Sequence, residues 1–491
     1  MKKTFFINTL IILITGFIIK FLGLINRIFI TRLLGTEGMS LYVLSFPTIM
    51  LFISISGLCL NVTISKLVSE NIKTRIHSPK LLLYKSIKLS LIVSLFTIIF
   101  FLLLINPLVE LWLKNEELYI PLLSVIPLIP LVGISDSLRG YLNGIKDMMK
   151  SSVSTLLEQI TRIVFSILFL FIFVPYGNKV ATFFCLIALS IGEIASIIYC
   201  LVVLKRIGII HYENTTNEMN AIIKVALPST LSRLVGNFTF FLEPIIFVFI
   251  LTKLNYTNYI IQTTYTIINA YTISLLTLGS FVSNALSTSV IPSISENYVT
   301  GNIDKVNYYI KKTIIFSLIP GIFISIILFF YPYELMNLIY GTTEGAKEVK
   351  YFVVFFLPYY LQAPLSSIYQ ALGKAKSLFI TSSIFNVLRL LLIVVLSYVD
   401  FINLNSLLVA TFITLDIFSL IIYLKIKKLT SFKISFNYSI TLLLLSIFII
   451  SIIVLFDLLN LNMFITILVS FTVYLFVIFK TKVINLKKLN D

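Results

Sequence analysis

The sequence predicts an all-α integral membrane protein of about fourteen transmembrane helices, with two six-helix lobes related by a pseudo-two-fold and two further C-terminal helices. Three observations carry that expectation. The 491 residues are 58% hydrophobic and have a mean hydropathy of +1.03, well above the apolar usage of soluble globular chains. Lysine and arginine crowd into alternate gaps between the apolar stretches, as the positive-inside rule requires of a multi-pass chain. Short sequence echoes recur at one long spacing, as a repeated architecture would produce.

Apolar segments that can cross a hydrocarbon core of about 30 Å are predicted at 5–30, 40–65, 82–106, 118–142, 152–174, 180–203, 221–251, 262–294, 308–331, 351–371, 378–399, 403–424, 436–456 and 461–480. The gaps are too short for a soluble domain. Lys2 and Lys3 before an apolar run resemble a signal peptide. The run continues past Lys20 and Arg27 with no small-residue cleavage site, so a retained first helix is expected. Several segments carry prolines, among them Pro47, Pro127, Pro228, Pro244 and Pro358. Broken helices are tolerated at membrane depth where they pack on protein or line a wet cavity.

One set of gaps holds Lys66, Lys85, Arg139, Lys146, Lys205, Lys224, Lys311, Lys374, Lys376, Lys425 and Lys427, and both chain ends belong to it. The intervening gaps hold few cations and most of the loop carboxylates, such as Glu110, Glu116, Glu344 and Asp400. The alternation requires an even number of helices with both termini cytoplasmic. The net charge of +17 is therefore read as topology and attraction to anionic lipid headgroups, not as nucleic-acid binding.

Ser69, Glu70 and Asn71 near the second helix are echoed by Ser295, Glu296 and Asn297 near the eighth. Tyr141, Gly144 and Lys146 are echoed by Tyr369, Gly373 and Lys374, and each run is followed by a helix with one internal arginine, Arg162 or Arg389. The spacing divides the chain into an N-lobe at 1–218, a C-lobe at 219–430 and an appended pair of helices at 431–491. Both lobes start on the same side, so the repeat is parallel, and transporters built this way bind substrate between the halves.

Charges inside the apolar segments are the candidate functional residues, because an ionised side chain at mid-bilayer costs about 2.5–3.5 kcal/mol on insertion scales. Gly16, Lys20, Gly23 and Arg27 share one face of the first helix. Lys20 and Arg27 either line a cavity there or are satisfied locally, by a neighbouring carbonyl or by snorkelling. Ser151, Thr155, Glu158 and Arg162 share a face of the fifth helix, where Glu158 and Arg162 are spaced to pair. The seventh carries Arg233, Asn237 and Glu243, with Arg233 and Glu243 pointing in different directions. Arg389, beside Ser382 and Asn386 in the eleventh, needs a partner from another helix or from a ligand. Glu193 and Asp416 are lone carboxylates suited either to ion coupling or to neutral burial. The cations slightly outnumber these acids, which fits an anionic substrate better than a cationic drug. Cys59, Cys185 and Cys200 lack metal-ligand spacing and read as small buried hydrophobes. His77 and His211 lie in loops. No phosphate-cradling glycine loop or zinc motif is present, so an enzyme is not expected, nor is any cofactor or metal.

Residues Arg32–Tyr42, Ser65–Glu70, Arg139–Gly144 onward to Glu158–Arg162, Pro292–Glu296 and Tyr369–Lys374 together resemble the stage V sporulation protein B family. These are polysaccharide-transporter members of the multidrug/oligosaccharidyl-lipid/polysaccharide exporter superfamily. The resemblance implies two lobes around a central cavity and alternating access in the bacterial cytoplasmic membrane. The substrate it implies is an undecaprenyl-linked peptidoglycan precursor or related lipid-linked oligosaccharide, for spore cortex synthesis. In the related lipid II flippases the cavity is cationic and the last two helices form a groove for the lipid tail. By position, Lys20 and Asn26 fall where those relatives place first-helix arginines, while their second-helix arginines fall near the uncharged Leu51 and Phe52. The substrate-binding set expected is Lys20, Asn26, Arg27, Arg233, Asn237 and Arg389. Glu158, Arg162, Glu193, Glu243 and Asp416 are expected to couple ions or to hold structure. The partners expected are the lipid-linked sugar and membrane lipids, with a monomer as the working state. A cation-coupled multidrug exporter of the same fold is the alternative. A non-transporting scaffold and a glycan-assembly enzyme are the readings from other classes.

Overall fold

The computed structural model describes residues 2–212, 217–432 and 436–480. Every regular element among them is a helix, one of the two structures that satisfy all backbone groups internally where the bilayer core offers no water. Eleven described helical stretches are long and apolar enough to span a membrane. The first, Thr15–Ile72, takes in two of the expected segments, and Met463–Ile478 is a shorter apolar helix. Segment 351–371 is broken into Ala346–Phe352 and Tyr359–Ala371. All fourteen expected segments thus have helical counterparts.

Boundaries differ where one residue does the work of a loop. Segments 5–30 and 40–65 were expected to be separated, yet helix runs through Lys2–Gly57 with a kink at Gly35 (φ 64°, ψ −174°). Lacking Cβ, glycine takes this conformation without strain, so one residue redirects the chain. The next break comes at Leu58 and Cys59, both near φ 48°, after which helix Leu60–Thr74 continues past the expected end. Segment 118–142 is interrupted at Ser124, between Tyr119–Leu123 and Val125–Gly144. Pro127 has no N–H and its ring meets the carbonyl of Leu123, which breaks the ladder there. Segment 262–294 is divided by a π-helical turn at Ile267–Thr272. Glu218–Lys253 runs through both of its prolines.

The chain packs as two compact units. The first comprises 1–270 with 386–410, the second 271–385 with 411–491. In the first, Leu60, Ile64, Val68, Leu138, Tyr141 and Leu142 pack with Cys200 and Ile222 in one apolar core. In the second, Ile294, Ile310, Leu365, Ile368 and Tyr369 do so with Phe418 and Ile422. A further cluster in the second unit seats the last two helices, Phe436–Leu458 and Met463–Lys480, on helix Ile303–Phe330. Tyr474 donates from there to the Ile319 carbonyl at 2.8 Å, and Tyr331 donates to Asp457.

Local hydrogen-bond patterns recur along the chain at an offset of about 227 residues. Helix Val125–Gly144 ends with N–H bonds from Ile145 to Tyr141, Lys146 to Asn143 and Asp147 to Leu142. Helix Tyr359–Ala371 ends with the same three, from Leu372 to Ile368, Gly373 to Gln370 and Lys374 to Tyr369. Lys146 (φ 66°) and Gly373 (φ 77°) supply the left-handed residue in each. The register therefore pairs Lys146 with Gly373, a shift from the Gly144–Gly373 match that residue identity invited. Ser90 Oγ donates to the Ser56 carbonyl at 3.4 Å, and Ser283 Oγ donates to that of Ser317 at 3.4 Å, between equivalent residues. Bulk is exchanged beside this contact. In the first unit, a Cβ on Gly133 would collide with Ser90. Its counterpart is Tyr360, whose ring lies against Gly279 and Gly321.

Candidate functional site

Most of the intramembrane charges expected to matter lie in the first unit. Lys20 is exposed and has neither ion pair nor hydrogen bond among the described residues. On the same face, a Cβ on Gly16 would meet nothing within 4 Å, and one on Gly23 would meet Gln159 Nε2 at 3.6 Å. Arg27 is half-buried and donates to the Asn269 carbonyl at 2.6 Å. Asn26 is buried and accepts from Ser166 Oγ at 2.7 Å, so it ties the first helix to helix Met148–Phe173.

Arg233 is exposed on helix Glu218–Lys253, with Nη1 4.0 Å from Cys59 Sγ. No carboxylate among the described residues pairs with it. One turn on, Asn237 donates to Ser54 Oγ. Asp136 approaches the same helix break, since a Cβ on Gly57 would lie 3.6 Å from its Oδ2. The left-handed turn at Leu58 and Cys59 is thus flanked by a cation on one side and an acid on the other.

Arg389 finds its partner in another helix. Its Nη2 lies 2.9 Å from Glu243 Oε2, which is almost wholly buried. Beside them, a Cβ on Gly236 would lie 3.9 Å from Asn386 Nδ2, so the small residue lets the two helices approach.

The largest charge cluster centres on a residue that the sequence reading placed among the loop cations. Arg139 lies inside helix Val125–Gly144 and is 7% exposed. Its Nη1 lies 2.5 Å from Glu158 Oε2, and its Nη2 lies 3.3 Å from Glu193 Oε2 and 3.5 Å from Asp136. Nη2 also donates to Ser135 Oγ at 2.8 Å. Glu158 further faces Arg162 at 3.9 Å, and Arg162 donates to Gln159. Three helices are thereby pinned by one guanidinium, whose planar fork can serve several carboxylates where a lysine cannot. Arg139 is corrected accordingly from topology charge to structural hub. The available signal was its place within segment 118–142, one turn after Ser135 and Asp136. Its partners at 158 and 193 carry no sequence spacing that would announce them.

Asp416, in the second unit, is half-buried with no ion-pair partner among the described residues. The three cysteines are free thiols, and Cys200 Sγ lies 3.2 Å from Ser154 Oγ. His211 Nδ1 lies 3.1 Å from Ser78 Oγ. Also in the second unit, an apolar hollow of about 570 Å³ is lined by Leu318, Ile322, Phe329, Leu442, Leu443 and Ile447. It runs along the first of the two appended helices and not between the pair.

Helices long and apolar enough to span a membrane in eleven described stretches, with most of their acids paired to arginines, are those of a multi-pass membrane protein. Comparison with known proteins places it further. Residues 5–298 match the family described as polysaccharide biosynthesis protein, and residues 259–399 match the MatE family. Stage V sporulation protein B of Bacillus subtilis (strain 168) is 33% identical over 81% of this chain and 78% of its own. Sporulation protein YkvU of the same strain is 24% identical over 76% of this chain and 84% of its own. The chain belongs to the polysaccharide biosynthesis protein family, in the branch of stage V sporulation protein B. Among solved structures, the lipid II flippase MurJ in an inward closed conformation superposes with a TM-score of 0.72 at 18% identity, covering 96% of this chain and 99% of that one. An inward-facing MATE family multidrug resistance transporter of the MOP superfamily gives 0.65 at 16% identity, over 84% and 94%. At those identities the likeness is one of fold.

Proposed function

We propose that the chain flips an undecaprenyl-linked peptidoglycan precursor, or a related lipid-linked oligosaccharide, across the bacterial cytoplasmic membrane by alternating access, in the service of spore cortex synthesis. The observation that carries the reading is the charge balance of the first unit. Asp136, Glu158 and Glu193 are engaged by Arg139, and Glu243 by Arg389. Among the described residues Lys20 has no carboxylate partner, and Arg233 makes no close ion pair, with Asp136 acting on it only at longer range. Free cations next to polar groups such as Asn237 attract the diphosphate of a lipid-linked sugar and repel a cationic drug. The kinship with stage V sporulation protein B supports the sporulation context. The apolar hollow beside helix Phe436–Leu458 suits the lipid tail. Two six-helix halves at 1–218 and 219–430, a monomeric state and cytoplasmic termini complete the reading.

The test is transport in proteoliposomes against a panel of lipid-linked head groups, with a cationic dye as the competing cargo. Arg233→Ala and Lys20→Ala should each abolish lipid-linked sugar transport at normal membrane levels, and Arg233→Lys should restore part of it. Full transport by the double alanine variant, or efflux of the dye alone, would overturn the reading. Dye efflux would favour the drug exporter, with the unpaired Asp416 as its first candidate carboxylate.

A further inference from the structure

The repeat offers an internal comparison at the start of its fifth and eleventh helices. In the first half, Asp147 is the N-cap of helix Met148–Phe173 and accepts from the Lys150 N–H at 3.4 Å. Its other oxygen pairs with Lys150 Nζ at 2.6 Å. One turn on, Ser154 bonds Ser196 at 2.6 Å. The helix start is therefore neutralised by a carboxylate of the chain itself.

At the equivalent place in the second half, the residue before helix Ala375–Ser397 is Lys374, whose side chain cannot accept a hydrogen bond. Lys376 follows, and Lys425 reaches in from helix Ser406–Thr430 to donate to Thr381 Oγ1 at 2.7 Å. Thr381 is the counterpart of Ser154, so a lysine bonds it where serine does in the first half. These side chains line a hollow of about 440 Å³ with Gly373, Ser377, Ile380 and Ile384, and no acidic residue lines it. Tyr369 holds Ser377 Oγ at 3.0 Å. The first half supplies its own anion at this position, whereas the second presents three ammonium groups at the first turn of a 23-residue helix.

We propose that this hollow binds the phosphoryl headgroup of an anionic membrane lipid. Lys374, Lys376 and Lys425 surround the phosphoryl oxygens, and the N–H groups of the first turn take the place that the Asp147 carboxylate serves in the other half. The position selects a lipid over a free phosphate. The helix is long and apolar enough to span the bilayer, so its first turn lies at headgroup depth. Ile380 and Ile384, both exposed, continue the wall in the direction that acyl chains run. The site is independent of the cargo proposed above, because it needs neither Lys20 nor Arg233.

Delipidated full-length protein titrated with phosphatidylglycerol, with bound lipid counted by native mass spectrometry, tests it. Wild type should retain a lipid whose affinity falls at least about tenfold in Lys374→Gln/Lys376→Gln/Lys425→Gln. The variant Lys205→Gln/Lys427→Gln/Lys428→Gln, with the same loss of charge elsewhere, should bind within about twofold of wild type. Lys374→Asp rebuilds the first-half arrangement and should abolish binding while raising the melting temperature, which separates lost binding from lost folding. Equal losses in both triple variants would show diffuse charge attraction and overturn the site. Lipid retention by Lys374→Asp would do the same. If inorganic diphosphate fills the hollow as tightly as the lipid, the assignment passes to a soluble anion and the lipid proposal falls.

Discussion

Removing the Arg139 guanidinium would leave Asp136, Glu158 and Glu193 facing one another in a low-dielectric interior, with Arg162 3.9 Å from Glu158 and Arg233 acting on Asp136 from further off. Breaking a buried ion pair by deleting one partner costs about 3–5 kcal/mol, since the other partner stays desolvated and uncompensated. Here one cation serves three acids, so Arg139→Gln should reach the upper part of that range. Arg139→Lys should recover only part, because an ammonium cannot span carboxylates on three helices. The diagnostic variant is Arg139→Met combined with Glu158→Gln and Glu193→Gln. Replacing a buried charged network with neutral groups of like volume is often close to neutral, so this triple should be markedly more stable than Arg139→Gln alone. Thermal and denaturant unfolding in detergent, followed by tryptophan-independent far-UV dichroism, would measure the series. An Arg139→Gln protein within about 1 kcal/mol of wild type, or a triple variant no better than the single, would refute the hub.

Three further outcomes follow from other contacts. Gly321→Ala should cost roughly 1–3 kcal/mol, because the new Cβ would sit 2.4 Å from the Tyr360 ring; an unchanged unfolding midpoint would show that the ring moves aside freely. Glu243→Gln should lower stability by about 1–3 kcal/mol by weakening the bond to Arg389, and equal stability in solution would mean that Arg389 is satisfied without it. In a cysteine-free background, Thr74→Cys should be closed to a membrane-impermeant thiol reagent in intact cells, and Glu116→Cys open to it. Both sites are exposed, whereas Ser78 is fully buried and would report nothing; labelling of Thr74→Cys from outside would invert the orientation.

Fold class was legible because membrane insertion enforces it residue by residue. A span must be predominantly apolar over about twenty residues, and loop cations are biased to one side, so both rules leave local traces in the sequence. The Gly35 kink and the break at Ser124 were less legible, because a single glycine or proline ends a helix only when tertiary packing permits it. The site was read unevenly for a similar reason. The pairing of Glu158 with Arg162 follows from helical spacing alone. The roles of Arg139 and of Glu243 depend on which helices lie side by side, and contacts between residues 139 and 193 or 243 and 389 leave no periodic mark.

The exchange of bulk around Tyr360 bears on whether one segment can stand in for the other. Across the offset of about 227 residues a ring's worth of volume stands on opposite walls of a packing seam, with Gly279 and Gly321 leaving room for Tyr360, while Gly133 stays bare against Ser90. Each copy can then no longer serve as a spare part for the other. Transplanting 125–144 into the place of 359–371 would open a void beside two glycines, and the reverse graft would drive a phenol ring into Ser90 and the Ser56 carbonyl. The two segments thus differ in chemistry, Asp147 at one helix start and Lys374 at the other, while their helix-ending hydrogen bonds stay the same.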